Sequence, residues 1–344
     1  MIIRVLIIDD SLFMRTIIKD ILSRDPEIQV VGTAANGEEG LEKIKELKPD
    51  VITLDIEMPK MNGLEVLKQK SALKLQPKTL MLSSLTSTGA VMTQKAMNLG
   101  ADDFMLKPKD PAAVREIGQE LLSKIKNIVK ISYVKKKITV TAGPAENLVV
   151  IGSSAGGPPM LDIVISSFKT ELPAAILITQ HMPVGGFTAA LAQRLNRIST
   201  MPVKETENGD ILNTGNIYIT KAGFHSVISR IITGSGKKGG KIVHSMAPPV
   251  HSVRPAVDKT FISAAEIFGP RTVSAILSGM GNDGGEGTLA IKQHGGVTMV
   301  CREEDCLVYG MARSALDRNC VDMVVPLAGI ADEISRAINK IAGA

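Results

Sequence analysis

Tryptophan is absent from the 344 residues, and there are only three tyrosines and seven phenylalanines. Single-stranded nucleic acid is held by stacking bases on aromatic rings, so this scarcity speaks against a nucleic-acid partner despite a net charge of +5. Cysteine is equally sparse. Cys301, Cys306 and Cys320 are too few and odd in number for a disulfide framework, which points to a reducing cytoplasm. Their spacing lacks a fourth ligand for zinc, so thiols in or near a core are expected. No uncharged apolar run approaches the ~18 residues that cross a bilayer, which excludes direct membrane insertion. The opening MIIRVLIIDD is too short an apolar stretch, and ends in acid, for an export signal. A field of one sign is missing as well, except in one place. Residues 1–120 hold 16 basic and 18 acidic side chains, whereas residues 121–147 hold six lysines and one glutamate.

What remains is 44% hydrophobic and 22% charged, an ordinary globular balance. At ~150 residues per domain the length suggests two domains. Residues 4–9, 28–34, 51–56, 79–84 and 103–106 are apolar or β-branched runs, as in strands buried on both faces. Amphipathic stretches such as Leu41, Ile44 and Leu47 separate them. The alternation predicts a doubly wound parallel sheet over residues 1–122. Residues 123–146, rich in lysine and ending near a Gly-Pro pair, read as a basic linker that begins with one helical turn continued from the preceding helix and whose lysines are mostly solvated. From 147 the alternation restarts at 147–152, 174–180, 216–220, 272–278, 297–301 and 322–327. A helix striped by Ile330, Ile334, Ile338 and Ile341 closes a second α/β domain, 147–344. The fold class is therefore α/β, with two doubly wound parallel-sheet domains.

Ligands of open parallel sheets bind outside the carboxyl ends of the strands. In the first domain those ends carry Asp9-Asp10, Asp55, Ser83-Ser84 and Lys107-Pro108. Three converging carboxylates repel one another unless a hard divalent cation, naturally Mg²⁺, sits among them. A lysine and a hydroxyl opposite suit a transferred phosphoryl group. A lone Asp at a strand end usually caps the next helix; the full set is far more specific. This domain resembles the receiver of two-component response regulators, with a flavodoxin-like fold. The resemblance implies that Asp55, in LDIEMPKMNG, accepts phosphate from a chemotaxis histidine kinase. It implies a metal site of Asp9, Asp10, Asp55 and the Glu57 carbonyl, and a switch of Ser83 (or Ser84), Phe104 and Lys107.

In the second domain VVIGSSAGGPP runs from strand through a glycine-rich turn into a helix. A dinucleotide fingerprint fails, because Ser154 stands two residues after Gly152, and GSGKKGGK (234–241) fails as a phosphate loop. G-x-S-x-G fits Gly152 to Gly156 and would present Ser154 at the sheet edge beside helix N–H groups. Of five histidines only His181 directly follows a strand-like run, AAILITQ. Strands ending in Ser154 and His181 would place hydroxyl and imidazole on one rim. A carboxylate is needed to hold the imidazole tautomer, and Asp283 stands in the glycine-ringed GMGNDGGEG. The order Ser, His, Asp differs from that of α/β-hydrolases, so the chemistry is implied and that fold is not.

With IGSSAGG, ITQHMP, LSGMGNDGG and VYGM, the second domain resembles the catalytic domain of chemotaxis protein-glutamate methylesterases, a Rossmann-like fold. The resemblance implies Ser154 as nucleophile, His181 as general acid and base, Asp283 as orienter and the Met280 N–H in an oxyanion hole. It implies demethylation of γ-glutamyl methyl esters, and deamidation of glutamines, on methyl-accepting chemotaxis receptors. No cofactor is expected in this second site. Three departures fall on its loops: Ala312 after VYGM where Pro is commoner, Ala256 where Ser is common, and Lys221 where Pro is common. Two competing readings are a receiver-controlled binding module and a nucleotide-binding oxidoreductase. The intact triad residues oppose the first, and the failed fingerprint opposes the second. The unphosphorylated receiver is expected to inhibit the esterase until Asp55 is phosphorylated.

Overall fold

A computed structural model describes residues 2–83, 92, 95–97, 99–107, 114–130, 143–232 and 238–343. Ser84, Pro108 and linker residues 131–142 lie outside the described residues, as does the Ser83 side chain. The chain divides into two compact units, Met1–Ser132 with Gly185–Ala190, and Tyr133–Val184 with Leu191–Ala344.

In the first unit the apolar runs become five parallel strands: β1 (Ile3–Ile8), β2 (Ile28–Ala34), β3 (Val51–Asp55), β4 (Lys78–Ser83) and β5 (Asp103–Leu106). Their order, β2-β1-β3-β4-β5, is the flavodoxin-like one. Helix starts follow the local chemistry. Ser11 caps α1 (Leu12–Leu22), Asn36 caps α2 (Gly37–Leu47), and Asn62 with Glu65 forms a capping box on α3 (Gly63–Ala72). The first two caps start their helices two residues past the strand ends that carry Asp9 and Ala34, whereas Asn62 follows a loop beyond Asp55.

The last helix, α4 (Val114–Lys130), continues past residue 122 for about two turns where one was expected. Two lysines read as solvated linker belong to it and are paired. Lys124, 3% exposed, meets Asp103 at 2.8 Å and lies over the Phe104 ring, and Lys126 meets Asp25 at 2.7 Å. A lysine-rich sequence gives no sign of such pairing, because the partner acids are distant in sequence.

The second unit is built on seven parallel strands in the order β14-β13-β12-β6-β7-β9-β8. In chain order these strands and their helices are β6 (Leu148–Ser153), α5 (Gly157–Ser167), β7 (Ala175–Gln180), α6 (Phe187–Ile198), β8 (Val203–Glu205) and β9 (Ile217–Ile219). An antiparallel hairpin of β10 (His225–Ile232) and β11 (Lys238–Ser245) intervenes. Then come α7 (Val257–Phe268), β12 (Thr272–Ile276), α8 (Gly285–Gln293), β13 (Val297–Cys301), α9 (Gly310–Asp317), β14 (Met323–Val325) and α10 (Ile330–Ala342).

With β8 set aside as an extra edge strand, the sheet has the 3-2-1-4-5-6 order of doubly wound nucleotide-binding folds. Its topological switch point lies between β6 and β12. All six residues of β6 and all six of β7 are buried. Fully burying a Val, Leu or Ile side chain stabilises by about 1.5–3 kcal/mol, so this centre is the rigid base of the rim above it. Ile330, Ile334 and Ile338 of α10 are buried as the stripe predicts. The hairpin and β8 were not expected. Alternation is weak in HSVISRII, and the glycines of 239–240 disguise a strand that packs closely: a Cβ on Gly240 would lie 2.6 Å from Ile228. Cys301 and Cys320 are buried and Cys306 is half-buried, all as free thiols.

Candidate functional site

The first unit gathers its acids at the strand ends. Asp9 is fully buried, Asp55 is 4% exposed and Asp10 faces solvent. An oxygen from each lies within 4.8 Å of the others. The Lys107 ammonium bridges Asp9 Oδ2 at 2.9 Å and Asp55 Oδ2 at 2.7 Å. Burial pushes the Asp55 carboxyl up to about 6, against the pull of Lys107, and the neighbouring Asp9 adds to the rise. The same two acids hold Lys107 above its usual range although burial opposes this. The Glu57 N–H donates to Asp55 Oδ1 at 3.4 Å. A cleft of about 540 Å³ opens beside these acids, lined by Asp10, Glu57, Met58, Pro59, Asn62 and Met92. Phe104 is buried at 6% exposure. The donor set is hard oxygen with excess negative charge, which fits a small divalent cation. Of the switch residues, neither the Ser83 side chain nor Ser84 is among those described.

The second unit collects its candidates at the switch point. β6 ends at Ser153, and Ser154 follows it, its N–H donating to the Ser278 carbonyl at 2.8 Å. The chain then turns sharply into α5. Gly156 sits at φ 75°, and a Cβ on Gly157 would lie 2.2 Å from the Gln180 side chain. Neither position tolerates a larger residue without strain. His181 directly follows β7, the parallel neighbour of β6, and its N–H donates to the Ser153 carbonyl at 3.0 Å. Serine and histidine thus stand at adjacent strand ends.

Asp283 reaches the same rim from the segment after β12. Its Oδ2 lies 2.7 Å from His181 Nε2 and accepts from the Val257 N–H at 2.7 Å, and its Oδ1 accepts from the Asp258 N–H at 2.9 Å. Burial alone would raise this carboxyl, but the His181 hydrogen bond and the two N–H donors outweigh it and hold Asp283 below the ordinary carboxylate range. It therefore stays ionised beside the imidazole. With Nε2 so engaged, Nδ1 is the ring nitrogen left for a hydroxyl. Among the described residues no hydrogen bond engages the Ser154 hydroxyl, so the structure brings His181 and Asp283 into contact and leaves the serine beside them.

Gly279 packs against the serine: a Cβ there would lie 3.0 Å from Ser154 Cβ. Its N–H is taken by the Val308 carbonyl at 2.9 Å. Among the described residues the next N–H, of Met280, has no acceptor, and the Met280 side chain is 75% exposed. An unpaired N–H beside a serine is what an oxyanion hole requires.

Three side chains were overlooked by reasoning from sequence. Gln180 accepts from Ser153 Oγ at 2.6 Å and donates to the Ser154 and His181 carbonyls, both at 2.9 Å, so one amide ties the serine turn to the histidine. A buried glutamine ending an apolar run was the available signal. Ser278 Oγ donates to the Ala155 carbonyl at 2.6 Å and accepts from the Val308 N–H at 3.0 Å, joining three loops. Asp258, 4% exposed, accepts from the Gly284 and Gly287 N–H groups and gave no sequence signal. Of the three departures, Ala256 leaves the start of α7 without a side-chain cap, Ala312 is fully buried in α9, and Lys221 lies 3.8 Å from Glu205.

Comparison with known proteins agrees with both halves. The family described as CheB methylesterase matches residues 149–334, and the response regulator receiver domain matches residues 5–119. A Methanospirillum hungatei protein named protein-glutamate methylesterase/protein-glutamine glutaminase 1 is 61% identical over 99% of this chain and 100% of its own. A Pyrococcus abyssi protein named protein-glutamate methylesterase/protein-glutamine glutaminase is 39% identical over 99% of this chain and 95% of its own. The crystal structure of the Thermotoga maritima CheB methylesterase catalytic domain is 38% identical, covers 55% of this chain and 97% of that one, and superposes with a TM-score of 0.52. The chain thus belongs to the CheB methylesterase family, in the form that carries a response regulator receiver domain ahead of the esterase domain.

Proposed function

We propose that the protein is a cytoplasmic serine esterase that removes methyl groups from γ-glutamyl esters on methyl-accepting chemotaxis receptors, and deamidates glutamines there, under control of phosphorylation at Asp55. The observation that carries this reading is the 2.7 Å contact of His181 with an ionised Asp283, made at the strand end next to Ser154.

The Ser154 hydroxyl attacks the ester carbonyl while His181 Nδ1 takes its proton. Asp283 holds the ring and stabilises the imidazolium without becoming protonated. The Met280 N–H receives the oxyanion. The C–O bond then breaks, and His181 returns the proton to the leaving methoxide as methanol. Water attacks the glutamyl-serine ester by the same route, giving up its proton to His181, and the glutamate and free Ser154 separate. With a glutamine substrate the leaving group is ammonia.

In the receiver, Asp9, Asp10, Asp55 and the Glu57 backbone would hold Mg²⁺, which when bound offsets charge on an incoming phosphoryl group. Lys107 faces the oxygen of Asp55 that would carry that group and pairs with its charge. A chemotaxis histidine kinase is the phosphodonor in this reading. Neither nucleic acid nor membrane insertion has a part.

Methanol release from methylated receptor membranes tests the chemistry. Ser154→Ala is expected to lose about three orders of magnitude or more in rate, since triad members act as a unit. Release at the wild-type rate would remove the proposal and leave a phosphorylatable binding module.

A further inference from the structure

Two helices at the rim start without caps of their own. Behind α7 stands Ala256 and behind α8 stands Gly284, and neither offers a side-chain acceptor to the first N–H groups. Those donors are buried, and an orphaned buried N–H is costly. Each set finds its acceptor on the other helix. Asp283, just ahead of α8, accepts from Val257 and Asp258 at the start of α7. Asp258, in the first turn of α7, accepts through one oxygen from Gly284 at 2.9 Å and Gly287 at 2.8 Å at the start of α8. The second Asp258 oxygen lies 3.1 Å from His251 Nε2. The two carboxylates therefore interlock, each closing the helix that bears the other.

The close approach is built in. A Cβ on Gly287 would lie 2.4 Å from Phe261 Cβ and 3.2 Å from the Asp258 Cα, so α8 seats directly against α7 at this point. Asp283 has a lowered pKa and touches His181, as the reaction requires. Asp258 lies on the far side, and burial together with the Asp283 charge pushes its carboxyl above the ordinary range. A buried acid in that position is held by the N–H groups that fix α8, and Asp283 is carried by the residue before them.

We propose that Asp258 is a positioning residue for ester hydrolysis: by clamping the start of α8 it sets the Asp283 carboxylate, and through it the His181 ring, against Ser154. This rests on the triad assignment given above. Asp258 touches neither substrate nor reacting atoms, so its removal misplaces the base and leaves substrate binding alone.

The test uses the full-length protein in one activation state, with methanol release from methylated receptor membranes as the assay. Asp258→Ala is expected to lower kcat by about 10- to 100-fold, the effect of an ångström-scale misplacement, with KM changed less than about twofold. Asp258→Asn keeps an acceptor oxygen for Gly284 and Gly287 and is expected to restore kcat to within about threefold of wild type. A strongly downfield imidazole proton between His181 and Asp283 in the NMR spectrum is expected to be lost in the alanine variant and kept in the asparagine variant. Unchanged kcat in folded Asp258→Ala overturns the proposal, as does a rise in KM with kcat preserved. Should the alanine variant not fold, the asparagine variant decides: a tenfold or greater fall in its kcat overturns the role. Ser154→Ala, assayed beside them, separates the two readings. Activity retained there removes the triad itself, whereas activity abolished there with wild-type kcat in Asp258→Ala removes only the positioning role.

Discussion

At the scale of single residues, the esterase rim depends on polar groups that hold the reacting ones. Gln180 is the plainest case, because one buried amide serves Ser153, Ser154 and His181 together. Replacing it with leucine leaves the Ser153 hydroxyl and the His181 carbonyl without partners, while the Ser154 carbonyl keeps only the Gly157 N–H. Each buried unsatisfied group costs about 1–3 kcal/mol. Gln180→Leu is accordingly expected to lower the thermal midpoint and to reduce kcat more than KM, both readable by calorimetry and methanol release. The residues proposed to carry the chemistry were legible because each sits at a strand end behind an apolar run: Asp9, Asp55, Ser154 and His181 all follow that rule. Asp283 was legible through its glycines. The residues that hold them were not, since the sequence around Asp258 and Ser278 shows no unusual spacing and their partners come from other segments.

At the scale of elements, the pairing of α7 with α8 governs where the carboxylate stands. Gly287→Ala would drive a methyl group into Phe261, and overpacking of this kind costs about 1–3 kcal/mol. A lower melting temperature is expected, roughly 2–4 °C per kcal/mol at this domain size. A second tie, from α8 to β13, is electrostatic. Asp322 pairs with Lys292 and accepts from the Thr298 N–H and hydroxyl. Burial would raise its carboxyl, but these donors outweigh that and hold it below the ordinary carboxylate range. A depressed native pKa means stability that is fully present above the unfolded value and lost as pH falls through the folded one. Urea midpoints followed downward from about pH 5 should fall, and Asp322→Asn should flatten that acid limb. The strands of both sheets were largely legible as apolar runs; residues 28–34, 103–106 and 297–301 match in full. The hairpin β10–β11 was not, because its glycine-rich second strand resembles a loop until the opposing strand is seen. The length of α4 was hidden for a different reason. Lys124 and Lys126 are neutralised by Asp103, Asp25 and Glu27, contacts that a composition count cannot register.

At the scale of the whole molecule, two parallel sheets each gather their candidate site residues on the carboxyl edge, acids and a lysine on one, and serine, histidine and aspartate on the other. If the first restrains the second, the catalytic unit alone should not need Asp55. A chain starting near residue 147 is expected to release methanol at or above the rate of the phosphorylated full-length protein. Asp55→Asn in the full-length protein should stay at the unphosphorylated rate when a small phosphodonor is added. Equal rates for the shortened chain and the unphosphorylated full chain would show that no restraint exists. The catalytic sheet has one more consequence. The His181 ring meets a carboxylate 102 positions further along the chain, on a segment that follows the fourth strand of the nucleotide-fold order. During synthesis the receiver unit emerges first and can fold, while Ser154 and His181 wait for β12 and the loop beyond it. A nascent chain thus completes its receiver unit well before its esterase rim, and a message truncated anywhere before that loop yields the receiver unit with no hydrolase behind it.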